Sequence, residues 1–210
     1  MNKYLKFLFF GLLILLVVFF VNNMEFLTLE NLENFINSLG SWAIFVFFIL
    51  YVVVTLFGFS AAVFTILAGT LFGVVNGLII VVLAATLSAS IAFFITRYFS
   101  KYFNEGKIKN KTVKNLVDKI EVQAEKNGFV AICILRLSFL PYIPLSYASG
   151  LVKNLKMRDF VLATFLTNIF GSFVFIFLGA SLMQSIPLFL LAIVLVLLFF
   201  QVPKLVKKYL

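Results

Sequence analysis

Residues 41–96 run for 56 positions without a charged side chain. A soluble domain with such a stretch would lack polar surface. A bilayer core about 30 Å thick, by contrast, is crossed by about 20 apolar helical residues. The stretch therefore belongs in a membrane, and it is too long for two ordinary spans. More apolar runs of spanning length follow, in a chain of 210 residues that is 63% apolar and 12% charged. The expected fold is an all-α polytopic membrane protein.

Charge sets the sidedness. Residues 25–40 hold Glu25, Glu30 and Glu33 and no Lys or Arg, whereas residues 97–128 hold Arg97 and seven lysines against four acids. By the positive-inside rule the first segment lies outside and the second in the cytoplasm. The chain enters 41–96 from outside and leaves it inside, so the number of crossings is odd. Either three spans are packed in, or a hairpin over about 41–75 dips in and returns before one true span over about 77–97. Hairpin arms of about 17 residues reach ~25 Å, short of a full crossing. Gly58, Gly69, Gly73 and Gly77 punctuate the run and favour the hairpin.

The flanks follow the same logic. Lys3 and Lys6 precede an apolar run, Phe7 to Val21, with no small-x-small cleavage site after it. This reads as an uncleaved anchor helix with a cytoplasmic N-terminus. Thr28 with Asn31 to Ile36 reads as a capped amphipathic helix on the outer surface. In 112–127, Val113, Leu116, Val117, Ile120 and Ala124 share one helical face, and Gly128 follows as a C-cap. That helix is read as lying on the inner membrane surface, with a plain connector as the alternative.

The stretch "ILRLSFLPYIPLSYASGLVK", Ile134 to Lys153, carries Arg136, Pro141 and Pro144 within apolar sequence. Residues 129–140 make about 18 Å of helix, roughly half the hydrocarbon core, before the prolines break it. Both flanks are basic, so both lie on the same side and the segment is a re-entrant hairpin. Spans over 160–178 and 188–202 complete the chain, with Lys204, Lys207 and Lys208 inside. The organisation expected is 1–40 as anchor and external segment, 41–182 as the central domain, and 183–210 as a last span with a basic tail. Within the domain, a hairpin and a span entered from outside are followed by a hairpin and a span entered from inside. That is an inverted repeat, a build common among transporters. "AGTLFGVVNGLIIVVLAAT" from Ala68 and "ASGLVKNLKMRDFVLAT" from Ala148 match weakly, each ending in Ala-Thr: Ala85-Thr86 and Ala163-Thr164.

Arg136 is the one charge deep in the second hairpin. An arginine at the bilayer centre costs ~2.5–3.5 kcal/mol on insertion scales, which calls for a wet cavity or a partner. No Asp or Glu lies in the apolar segments. The partners left are backbone carbonyls or a bound anion, and a guanidinium suits phosphate through paired hydrogen bonds. Helix N-termini at the hairpin tips would add anion-attracting N–H groups. The alternative is that Arg136 only caps carbonyls. Ser146, Ser149 and Tyr147 offer hydroxyls to a ligand or to loop backbone, and Asn168 and Thr167 either line the cavity or link helices. Gly69, Gly73 and Gly150 permit close approach of backbones. Arg97 and Lys101 sit at a span end and read as snorkelling to lipid phosphates.

With no histidine and one cysteine, Cys133, neither a zinc or copper site nor an internal disulfide is expected. No nucleophile–base pair is present, so an enzyme is not expected, and no cofactor is called for. The net charge of +9 sits in short loops and does not point to nucleic acid.

Two motifs carry a family resemblance over about residues 40–180: "AGTLFGVVNG", Ala68 to Gly77, before a span ending in Arg97-Tyr98, and "LRLSFLPYIPLSYASGL", Leu135 to Leu151. The chain resembles the DedA superfamily, also called the VTT or SNARE-associated Golgi protein domain. "TLFGFSAAVFTILAG" lacks the acids and prolines of the narrow DedA group, and where that group tends to have a second arginine shortly after the proline this chain reads Tyr142, Ile143, Pro144, Leu145, so the likeness is closer to the Tvp-like branch. The resemblance implies two re-entrant hairpins meeting in the membrane. It also implies lipid scrambling or flipping, including recycling of undecaprenyl phosphate. The substrate-binding residues expected are Arg136, Pro141, Pro144, Ser146, Tyr147, Gly150, Gly69 and Gly73, with membrane lipids as partners and a homo-oligomer left open. The activity expected is movement of a phosphate-bearing lipid between leaflets of a bacterial plasma membrane. A small-solute or ion transporter and a non-transporting membrane organiser are the alternatives.

Overall fold

The structure is a computed structural model describing residue 34 and residues 38–100, 111–182 and 185–206. The expected anchor helix (7–21), most of the external amphipathic segment, Lys101, Lys207 and Lys208 lie outside the described residues. The body from Ile44 onward is one compact unit. It is built from α1 (Ala43–Leu56), α2 (Ala61–Phe99), α3 (Lys111–Ala124), α4 (Gly128–Leu137), α5 (Tyr142–Leu151), α6 (Met157–Leu182), α7 (Ile186–Phe199) and α8 (Val202–Val206).

α2 is not one rod. Gly73 has φ 73° and ψ −179°, outside the helical region. A Cβ on Gly77 would lie 2.8 Å from the Ala68 carbonyl oxygen, although residues nine apart in a straight helix are separated by about 13 Å. The chain therefore reverses at Gly73, a turn open to glycine because of its positive φ. Residues 61–72 pack back along α1: Tyr51 hydrogen-bonds Thr65 at 3.1 Å, and the Phe47 ring meets Phe72 edge-on at 5.2 Å. Arms of 14 residues (α1) and about 18 Å (61–72) cannot cross a ~30 Å core. The first hairpin is re-entrant, and residues 74–99 form the span that follows it.

The second hairpin is α4 and α5, ten residues each. Its turn is Ser138–Pro141, with Phe139 at φ 56°. Pro141 stands just before α5. Pro144 does not break the helix as expected: it occupies the first turn of α5, where a missing N–H loses no intrahelical bond. The long span α6 (26 residues) then runs antiparallel to 74–99. Thr70 Oγ1 donates to the Gly179 carbonyl at one end, and Arg97 reaches Gly150 at the other. The hairpins thus enter from opposite ends, and the all-α inverted repeat is the fold.

Two further expectations change. α3 does not spread its apolar face on a membrane surface. Val117, Ile120 and Ala124 are buried with Ile132, Leu135, Leu145, Leu155 and Phe160 under the base of the second hairpin. Gly128 is not a C-cap, because α3 stops at Ala124 and Gly128 opens α4. The cap there is Asn127, which accepts a bond from Val130 N.

Candidate functional site

Arg136 is the penultimate residue of α4, so the descending arm carries it to the hairpin tip. Its Nε donates to Thr164 Oγ1 of α6 at 3.0 Å, and Nη2 donates to Ser146 Oγ of α5 at 3.2 Å. The guanidinium carbon lies 4.4 Å from the Tyr142 ring centroid and 5.3 Å from that of Phe160. Nη1 is buried and has no hydrogen-bond partner among the described residues. Among the described residues no carboxylate takes part, and the head group is not spent on capping carbonyls. A buried N–H of a charged group left unpaired is costly.

Arg136 lines a cavity of about 280 Å³ between the two hairpin tips. Tyr51, Ala61, Ala62 and Thr65 come from the first hairpin, and Leu137, Phe139, Leu140 and Tyr142 from the second. Thr167, Asn168 and Ser172 of α6 complete the polar wall. Tyr142 Oη donates to the Ala85 carbonyl at 2.8 Å and accepts from Asn168 Nδ2 at 3.0 Å. The same amide donates to Thr86 Oγ1 at 3.2 Å. One network thus joins both spans to the second hairpin. It leaves the cavity mostly apolar, with Arg136 as the one charged residue in its lining.

Of the residues expected in a site, Arg136 lines the cavity and Ser146 holds its Nη2 from behind. Pro141 and Pro144 shape the tip beside it and are exposed. Tyr147 turns to the first hairpin, its Oη donating to the Leu56 carbonyl at 3.3 Å. Gly69 lies against the Ile176 carbonyl and Gly150 against Thr96 and the Phe93 carbonyl, while Gly73 makes the turn. Of the eight residues expected to bind substrate, Arg136 alone is among the cavity-lining residues. Ser149 bonds within its own helix. Thr167 and Asn168 line the cavity, and Asn168 also links helices, so both readings hold for it. Arg97 departs from the snorkelling expectation. Nε donates to the Gly150 carbonyl at 2.8 Å and Nη2 to those of Val152 (2.6 Å) and Leu155 (2.9 Å), capping α5 and the turn after it. Tyr142 and Thr164 were missed as site residues. The Ala-Thr echo was the available signal, because Thr86 and Thr164 both serve the network.

The VTT domain matches residues 59–181, from the tip of the first hairpin almost to the end of α6. The chain belongs to the VTT-domain family. The match is to the domain as a whole rather than to its Tvp-like branch. It makes the chain an integral membrane protein of the DedA/VTT type, as the two motifs indicated. No curated protein and no solved structure matches the chain. In this VTT domain the cavity lies where the four elements of the repeat converge.

Proposed function

We propose that this VTT protein moves a phosphate-bearing lipid between leaflets, binding the head group at Arg136 midway. The observation that carries the reading is that Arg136 lines a cavity between two half-depth hairpins while its buried Nη1 has no hydrogen-bond partner among the described residues. A phosphate oxygen would complete the guanidinium's hydrogen bonding, and the Tyr142 face holds it in place. Phospholipid and undecaprenyl phosphate share that chemistry. Half-depth hairpins from both ends thin the barrier a head group must cross. The absence of acids in the apolar segments favours passive or weakly coupled movement over proton-driven exchange. We read the protein as non-enzymatic, with residues 41–182 as the working domain, both termini cytoplasmic and a bacterial inner membrane as its place.

The test is reconstitution in vesicles carrying a fluorescent phospholipid bleached from outside. Wild-type protein is expected to expose the inner-leaflet pool, and Arg136→Ala to slow this by tenfold or more, since hydrogen bonds to a charged group are worth about 1.5–3 kcal/mol. Lipid movement unchanged in Arg136→Ala would sink the head-group role. Solute flux without lipid movement would favour the small-solute transporter, and neither activity would favour the membrane organiser.

A further inference from the structure

One wall of the cavity belongs to neither hairpin–span pair alone. Phe139, at the tip of the second hairpin, meets Phe199 edge-on at 4.9 Å and stacks on Phe200 at 5.3 Å, at the end of α7. All three rings line the cavity. Phe139 is 36% exposed and Phe200 52%, so the rings stand between the cavity and the surrounding hydrocarbon. The depths agree: ten residues of α4 descend about 15 Å, and Phe199 lies about 20 Å along α7 from the opposite end.

Phe139 is the one non-glycine residue at positive φ among the described residues, whereas the first hairpin's turn uses Gly58 at φ 85°. A large ring held in a backbone conformation that disfavours side chains points to use of the ring. α7 has a single buried residue among those described, Ala192, and its helix breaks at Phe200–Gln201 beside the rings. A cavity of about 280 Å³ is at or below the ~300–1,000 Å³ range of small-molecule pockets, so it takes a head group but not the chains attached.

We propose that Phe139, Phe199 and Phe200 form a lateral portal through which the hydrocarbon chain of a phosphate-bearing lipid leaves the cavity while its phosphate rests on Arg136. This rests on the head-group reading above. The experiment places p-benzoylphenylalanine at Phe200, at Phe199 as a second position, and at Phe170 of α6, which is 61% exposed, as the lipid-facing control. Each full-length protein is irradiated in phosphatidylcholine vesicles holding radiolabelled phosphatidic acid, in wild-type and Arg136→Ala backgrounds. Capture at 199 or 200 is expected to exceed that at 170 several-fold and to fall to the control level in Arg136→Ala. Equal capture at all three positions, or an excess that survives Arg136→Ala, overturns the portal. Scrambling is read on vesicles of the unmodified protein. Scrambling with equal capture removes the portal and leaves the head-group reading; no scrambling counts against transport itself, whatever the capture shows.

Discussion

The descending arm of the first hairpin ends Thr55-Leu56, and that of the second ends Arg136-Leu137. Each penultimate side chain bonds the span that follows its own hairpin, Thr55 to Ser88 at 2.9 Å and Arg136 to Thr164 at 3.0 Å. The returning arms correspond as well. Thr65 and Ser146 are each the fifth residue, and each bonds back to the descending arm, to Tyr51 and Arg136. Gly69 and Gly150 are each the ninth, and each presses on the backbone of the other repeat's span. The difference lies at the penultimate position. Thr55 is fully buried and satisfied, whereas Arg136 retains a nitrogen with no partner among the described residues. The first hairpin shows that this frame closes with a neutral hydroxyl. The guanidinium is the feature the first hairpin lacks, and the proposed head-group reading rests on it.

That comparison can be broken or sharpened. Arg136→Thr makes the second hairpin resemble the first. Lipid movement in vesicles should drop by roughly tenfold or more while helix content in circular dichroism stays native. Thr55→Ala, the counterpart, should leave the rate within about twofold; an equal loss at both positions would make the network structural. Next in size are Gly69→Ala and Gly150→Ala. Each adds a Cβ against backbone, and each should lower stability by about 1–3 kcal/mol, read as a drop in thermal midpoint in detergent. A large effect at only one glycine would end the reciprocity. Arg97→Gln removes the charged cap that the second hairpin has and should raise hydrogen exchange at residues 150–155, with the 61–72 arm unchanged. The smallest effect is expected from Asn168→Ala paired with Tyr142→Phe. Their coupling energy should be about 0.6 kcal/mol, the usual size for interhelical hydrogen bonds in membranes.

Much of this was legible along the chain. Apolar lengths, lysine placement and the Arg-Pro-Pro-Tyr-Gly run determined a membrane protein of hairpins and spans in opposite orientations, because burial in hydrocarbon and charge at its borders are local, additive properties. They also singled out Arg136, since a lone charge in apolar sequence is conspicuous by itself. Tertiary structure alone decided what each polar group faces. Tyr142 looked like one more aromatic and Thr164 like one more spacer until α5 and α6 brought both to the guanidinium. Arg97 looked like a snorkelling end residue until the 150–155 turn arrived beneath it, and the α3 stripe looked like a lipid contact until the hairpin base covered it. Partners at separations of 28 to 58 residues are set by how helices cross, and a sequence pattern with a period of a few residues does not record that.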